Sequence, residues 1–203
     1  MKEGKIRFNT VFISDKIPHD VKLRELKKWS KTFQKSGLTP EVQGNFTGNL
    51  SFRSKEGFVI TASGLKDKQH LEDVCFAYVK AYDEQNNTFF VEGQTKPSSE
   101  SIMHHLIYEK CGDVKAVFHG HNDTIIACAE ELGLPVTEKE YESGTVELAK
   151  EVLKSLEANK LIVLRNHGFV SLGNTMKEAG ELALATLNEA KLERARQQSG
   201  ISC

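Results

Sequence analysis

After Asp20, apolar residues recur at helical spacing. Leu23, Leu26, Trp29 and Phe33 form one stripe, Asp20 is placed to cap it, and Gly37 ends it, which predicts a helix to about Lys35. The period then changes. Thr39 to Gly48 carries Pro40, Gly44, Asn45 and Gly48 and reads as a loop. Asn49 to Arg53 alternates polar and apolar, a turn at Ser54 to Gly57 reverses the chain, and Phe58 to Thr61 returns, so a hairpin is predicted. A short helical or turn segment near Lys68 to Leu71 precedes two more strands, Val74 to Val79 and Thr88 to Val91, joined across Asp83 to Asn87. The first half reads as largely antiparallel sheet.

The second half interleaves helices with strands. Pro97 and the serines after it mark a helix start, with Ile102, Leu106 and Tyr108 facing inward to about Cys111. Ala116 to Asp123 is an apolar strand, Asp123 to Glu131 a helix, Leu132 to Tyr141 a connection, and Thr145 to Leu156 a periodic helix. Leu161 to Gly168 and Phe169 to Leu172 read as partner strands, closed by a turn at Gly173-Asn174. A long helix from Thr175 to about Gln197 follows, with Met176, Ala179, Leu182, Ala183, Leu187 and Ala190 on one broad face. Strands first, then alternating helices and strands, imply an α/β sandwich with helices over a mixed sheet.

Candidate chemistry gathers where two of these apolar strands end. AVFHGHND, from Ala116, presents His119 and His121 two residues apart, and in a strand such residues project from one face about 6.6 Å apart. Catalytic zinc needs three protein ligands and an open position. LIVLRNHG, from Leu161, has the same form and ends in His167, which makes it the third candidate. An HxH triplet alone is also compatible with hydrogen-bonded rim residues; the matching strand-end histidine turns the reading toward a metal. At Ser98 and Ser99 two readings stand: a helix start suited to an anion, or a plain helix cap, which the spacing alone favours.

Composition narrows the function classes. With 203 residues, four prolines and no linker or internal repeat, the chain suits one domain over residues 1–203. Its 27 basic and 28 acidic residues are mixed along the chain, so no nucleic-acid surface is implied. No apolar stretch approaches the roughly 20 residues that span a bilayer, and MKEGKIRFNT has no signal-peptide core, so no membrane partner and a soluble, cytoplasmic protein are expected. Cys75, Cys111, Cys128 and Cys203 lack CxxC spacing and fit reduced thiols, the first three as small core residues and Cys203 in the tail.

In order and approximate spacing, GNLSFR (48–53), ITASG (60–64), PSSE (97–100), FHGH (118–121) and RNHG (165–168) resemble the class II aldolase/adducin family over roughly Val21 to Leu192. The resemblance implies a three-layer α/β/α sandwich with a central, largely antiparallel mixed sheet, assembled as a homotetramer with active sites between subunits. It implies a zinc-dependent lyase similar to the fuculose-phosphate aldolases, acting on a small phosphorylated sugar. His119, His121 and His167 take the metal-ligand positions, Glu100 the catalytic acid/base position, and Asn49, Ser63, Gly64, Ser98 and Ser99 the phosphate-binding positions. Three imidazoles also accept cobalt, manganese or iron.

These residue types suit the chemistry independently of the family. Cleaving a C–C bond beside a carbonyl leaves an enediolate, whose charge a Lewis-acid metal stabilises, and a carboxylate moves the proton at carbon. Hydroxyls, amides and helix-start N–H groups bind phosphate without a basic cluster. His104, four residues after Glu100 on the same helix face, supports the site, while His105 points away and neither binds metal. His19 and His70 lie among polar neighbours at the surface. Two departures from the family stand out: the Gly-rich segment is trimmed to roughly Pro135 to Gly144, and no tyrosine occupies the C-terminal tail. Tyr141 of a neighbouring subunit is the remaining candidate to protonate the departing alkoxide. Within the family, a sugar-phosphate epimerase or a methylthioribulose-phosphate dehydratase is the alternative. From another class, an adducin-like interaction module without enzymatic activity is disfavoured by the full histidine set.

Overall fold

The computed structural model describes residues 5–156 and 159–199. Eight strands form one mixed sheet in the order β1-β7-β6-β5-β4-β8-β10-β9. Taken along the chain, these are β1 (Asn9–Ser14), β4 (Asn49–Ser54), β5 (Gly57–Thr61), β6 (Phe76–Asp83), β7 (Thr88–Glu92), β8 (Ala116–Gly120), β9 (Leu161–Leu164) and β10 (Gly168–Gly173). Every pairing is antiparallel except β1 with β7. A separate small hairpin joins β2 (Glu41–Val42) to β3 (Asn45–Phe46) inside the stretch read as a plain loop.

Helices cover both faces, as expected of a three-layer sandwich. On one face α1 (Leu23–Ser36), α3 (Asp123–Ala127) and α5 (Met176–Ser199) pack with Phe118 and Phe169; on the other lie α2 (Ser101–Lys110) and α4 (Val146–Leu156). Phe33 meets Phe118 edge-on at 5.4 Å between ring centroids, joining α1 to the middle of the sheet. Fully burying such a side chain contributes about 1.5–3 kcal/mol. Among the described residues, no helix is long and apolar enough to cross a membrane.

Several elements differ from their sequence signals. Asp20 does not cap α1 at its first residue; its carboxylate accepts from Lys22 N, its carbonyl from Leu23 N, and the helix begins at Leu23. Lys68 to Leu71 is not helical, and Val74 and Cys75 belong to a short 3-10 turn, so β6 starts at Phe76 and runs on to Asp83. α3 stops at Ala127 because turns, not helix, continue from Cys128. On α2 the buried positions are Ser101, Ile102, Met103, His104, Ile107 and Tyr108, with Leu106 only half-buried; the helix is sandwiched between the sheet and α4 and so has a broader inner face than one stripe. Cys128 is in the core, whereas Cys75 and Cys111 are half-buried, and Cys203 lies outside the described residues. β1 had no clear signal at all. Its Val11, Phe12 and Ile13 are exposed, and what makes it a strand is parallel pairing with β7, a contact far away in sequence.

Candidate metal centre and substrate cleft

β8 delivers the first candidate ligand. His119 is paired across the sheet with Asn49 of β4 on one side and Val170 of β10 on the other, and it is completely buried. His121 lies just past the strand end, where its backbone N–H donates to Leu38 O at 2.7 Å. His167 arrives from the β9–β10 turn, whose Asn166 adopts φ 56°, a left-handed conformation asparagine tolerates. The strand carrying LIVL is therefore not the neighbour of β8; β10 lies between them, and the turn folds His167 back over it. Gly168 is required there. A Cβ at this residue would run into the Gly120 carbonyl and come within 3.1 Å of the His119 ring and 3.2 Å of the His121 ring.

The three rings form a triangle with centroids 4.7, 5.0 and 4.8 Å apart. Glu100, immediately before α2, completes the cluster, and one ligand atom from each of the four residues falls within 4.8 Å of all the others. His119 Nε2 lies 2.9 Å from His121 Nε2 and 2.9 Å from Glu100 Oε2, while His167 Nε2 lies 3.2 Å from Glu100 Oε1. Glu100 Oε1 and His167 Nδ1 are buried without an aligned hydrogen bond.

The protonation pattern shows what the cluster is built for. His119 Nδ1 stands 2.8 Å from the Phe169 carbonyl, which only accepts, so this nitrogen carries the proton of the neutral ring and Nε2 is left with a lone pair. That lone pair faces a carboxylate oxygen and another imidazole nitrogen, an arrangement that repels itself unless a cation lies among the three. An inward ring nitrogen with the opposite N–H on a backbone carbonyl is the usual support of a metal-bound histidine. Burial lowers the His121 imidazole well below its usual range and lowers His167 as well, which favours the neutral rings a metal needs. Burial raises the Glu100 carboxyl, while positive charge on the His119 and His167 side lowers it further, to well below the ordinary carboxylate range, so a cation among these rings keeps the carboxylate ionised. Three neutral imidazoles and an ionised carboxylate form a donor set that fits zinc or a similar divalent ion.

The cluster opens into a cleft. All five residues at the predicted phosphate positions, Asn49, Ser63, Gly64, Ser98 and Ser99, line it together with Glu100, His121 and His167. Asn49 is more committed than a phosphate contact requires: its Nδ2 donates to Glu100 Oε2 at 2.9 Å and its Oδ1 accepts from His104 Nε2 at 2.6 Å. Neither serine caps α2 in the ordinary way; among the described residues Ser98 Oγ has a single, long hydrogen bond, 3.4 Å, from Glu100 N. His104 lies against Asn49, and His105 is turned away against Tyr82 and Phe89. His19 and His70 are exposed. Tyr141 is half-buried against the core under α2 and α4 of its own chain.

Four residues of this region carried no recognised signal. Lys68 is fully buried, and its Nζ donates to Thr47 O at 2.7 Å and to Gly48 O, the carbonyls just before Asn49. Burial lowers this ammonium to about pKa 7, against the opposing pull of Glu100. Nothing in LKDKQH distinguishes it from a surface lysine. Ser143 lines the cleft from the connection before α4. Ser51 and the Tyr108 hydroxyl lie behind Asn49, and a signal for them did exist: Glu100, His104 and Tyr108 recur every four residues on one buried helix face, opposite Asn49, Ser51 and Arg53 at strand spacing.

The model of the class II aldolase and adducin N-terminal domain matches residues 24–193. A 5-methylthioribulose-1-phosphate/5-deoxyribulose-1-phosphate aldolase of Rhodospirillum rubrum is 33% identical over 155 residues, covering 68% of this chain and 66% of that protein, so the match spans about two thirds of the relative's length. A 5-deoxy-D-ribulose 1-phosphate aldolase of Bacillus thuringiensis serovar kurstaki is 30% identical over 175 residues, 78% of each chain. Among solved structures, an L-fuculose 1-phosphate aldolase superposes with TM-score 0.75 at 24% identity, covering 92% of this chain and 91% of the other, a likeness of fold. With a family model spanning most of its length, from the first turn of α1 to the last turns of α5, the chain belongs to the class II aldolase and adducin N-terminal domain family.

Proposed function

We propose that this chain is a zinc-dependent aldolase that cleaves or forms a C–C bond in a phosphorylated ketose, with residues 1–203 as one domain. His119, His121 and His167 would hold the metal, and Glu100 would be the catalytic acid/base. The observation that carries the reading is the His119 ring, whose proton is committed to Phe169 O and whose lone pair is aimed at Glu100 and His121.

When bound, a zinc-class ion supplies Lewis-acid stabilisation for the negative charge that develops on the ketose oxygens as the bond breaks. The side chains do the rest. Ser63, Ser98 and Ser99, with the start of α2, receive the phosphate by hydrogen bonds and helix dipole; among the described residues no lysine or arginine lines the cleft. Asn49 has one amide proton on Glu100 and a second left for substrate. Anchoring the phosphate places the bond to be cleaved beside Glu100. Its Oε2 is held by Asn49, while Oε1 makes no aligned hydrogen bond and is the oxygen available to carry the proton. In the cleavage direction the substrate hydroxyl loses its proton as it becomes the carbonyl of the departing aldehyde, an enediolate remains, and a proton taken up on Glu100 Oε1 is delivered to the carbon that lost its partner, so the one proton lost from oxygen is returned at carbon. Synthesis runs the same steps backwards, Glu100 taking that proton as base.

The names of the curated relatives put 5-deoxy and 5-methylthio ketose 1-phosphates, with fuculose phosphate, first among substrates to try. We extend the reading to a cytoplasmic homotetramer in which Tyr141 of a neighbouring subunit serves the oxygen on the aldehyde side, protonating the alkoxide formed in synthesis and taking the hydroxyl proton in cleavage; sedimentation equilibrium and Tyr141→Phe turnover test those two parts. The decisive experiment is a retro-aldol assay on zinc-loaded protein across these ketose 1-phosphates, reading release of dihydroxyacetone phosphate, with Glu100→Gln as control. Release that falls about 10³-fold in the control supports the reading. No release from metal-loaded protein sinks it in favour of epimerase or dehydratase chemistry, and failure to take up any metal would favour the interaction module.

A further inference from the structure

Behind Glu100, away from the cleft, strand β4 and helix α2 face each other with matched polar periods. Alternate residues on a strand are about 6.6 Å apart, and every fourth residue on a helix about 6 Å apart, so Asn49, Ser51 and Arg53 keep step with Glu100, His104 and Tyr108. Each pair makes a rung. Asn49 Nδ2 donates to Glu100 Oε2 at 2.9 Å, Ser51 Oγ lies 2.7 Å from His104 Nδ1, and Arg53 donates to Tyr108 O at 2.6 Å with its guanidinium 4.8 Å above the ring. Diagonals connect the rungs: His104 Nε2 to Asn49 Oδ1 at 2.6 Å, and Tyr108 Oη to Ser51 Oγ at 2.8 Å.

The orientation of the Asn49 amide sets the direction of every bond. Its Nδ2 donates to Glu100 Oε2, so its oxygen faces His104. That oxygen only accepts, so His104 carries its proton on Nε2. In the neutral ring Nδ1 is then an acceptor, filled by the Ser51 hydroxyl, whose oxygen in turn receives the Tyr108 hydroxyl. Donors therefore point one way, from Tyr108 through Ser51, His104 and Asn49 to Glu100. Burial agrees with this protonation pattern: it lowers the His104 imidazole to about 3 and raises the Tyr108 phenol, so the ring stays neutral and the hydroxyl keeps its proton. At the far end Arg53 is fixed by the carbonyls of Val114 and Cys111, at 2.9 and 2.8 Å.

We propose that Ser51, His104 and Tyr108 are positioning residues which, through Asn49, lock the rotation of the Glu100 carboxylate so that Oε2 is occupied and Oε1 is presented to substrate. The catalytic part of this inference rests on the aldolase reading; the hydrogen-bond polarity does not. Ser51 and His104 are completely buried, and none of the three lines the cleft. Their influence on the chemistry therefore passes through Asn49.

The test has two readouts on the full chain. Long-range ¹H–¹⁵N correlation on ¹⁵N-histidine-labelled protein, with His104 assigned by its loss in His104→Gln, is expected to show the neutral Nε2–H form in wild type and in Ser51→Ala, where Asn49 Oδ1 still accepts that proton. An Nδ1–H or protonated His104 at neutral pH overturns the relay whether or not the protein is an aldolase. In the retro-aldol assay Ser51→Ala is expected to lower kcat 10- to 100-fold with KM changed less than threefold and metal content unchanged, and Tyr108→Phe to lower it less. His104→Leu should lose 10²- to 10³-fold, and His104→Gln, which keeps a donor for Asn49 Oδ1, should recover to within about tenfold of wild type. If wild type turns over but Ser51→Ala and His104→Leu match it, the relay is refuted. If the tautomer is as stated but wild type shows no turnover, the aldolase reading fails and the relay remains as a structural lock.

Discussion

At the scale of single residues, protonation decides what the site does. Because His119 gives its proton to Phe169 O, losing this ring removes the ligand with the most constrained lone pair. His119→Ala is expected to bind less than a tenth of an equivalent of zinc by elemental analysis and to lose activity with it, whereas Glu100→Gln keeps the metal and loses only turnover. His104 makes a pH prediction. Its ring binds a proton near pH 6.5 when unfolded and only near pH 3 when folded. Between those values the unfolded chain holds the extra proton, so the unfolding free energy falls as the pH drops below about 6.5. His104→Gln has no such proton to gain. Urea melts between pH 6 and pH 4 should show an acid limb shallower by about 1.4 kcal/mol per pH unit than wild type. Parallel limbs would contradict the buried neutral ring.

At the scale of elements, loops and turns hold what strands and helices aim. Lys68 lies in an irregular stretch yet grips the carbonyls of Thr47 and Gly48, the residues that lead into β4 and line the cleft. Lys68→Met removes both charge-assisted bonds and is expected to raise KM for a ketose phosphate about tenfold, by loosening the cradle, with zinc content unchanged. Steady-state kinetics check it; an unchanged KM would make Lys68 a bystander. The RNHG turn offers the complementary case. Gly168→Ala forces a methyl group against the Gly120 carbonyl and two ligand rings, so a loss of about 1–3 kcal/mol in stability and weaker metal binding are expected from melts and competition with a chelator. These turn and loop residues were legible only in part. RNHG stood out because it repeats the strand-then-histidine form of FHGH, while Lys68 has ordinary neighbours in sequence and is special only by burial.

For the whole molecule, the cluster joins segments that are distant in the chain: the start of α2, the end of β8 and the β9–β10 turn. A metal bound there stabilises only the folded state. At free metal 100-fold above its dissociation constant this linkage is worth about 2.7 kcal/mol, or roughly 5–10 °C in Tm for a chain of this size. Calorimetry with and without a chelator should show a drop of that order in wild type and none in His119→Ala. An equal drop in both would place the stabilising metal elsewhere.

Local pattern by itself determined a good deal about this protein: α1 and its stop at Gly37, the β4–β5 hairpin, the apolar strands ending in histidine, and a helix following Pro97 and the serines. Each depends on periodicity or spacing within a dozen residues, which the backbone converts directly into direction. Tertiary structure alone decided the rest. It made a strand of β1 by pairing it with β7, inserted β10 between the strands that present the histidines, and buried Lys68 beneath the cleft. It also settled which nitrogen of His119 and of His104 carries the proton, because a proton goes to whichever nitrogen meets an acceptor, and the acceptors here, Phe169 O and Asn49 Oδ1, come from other elements.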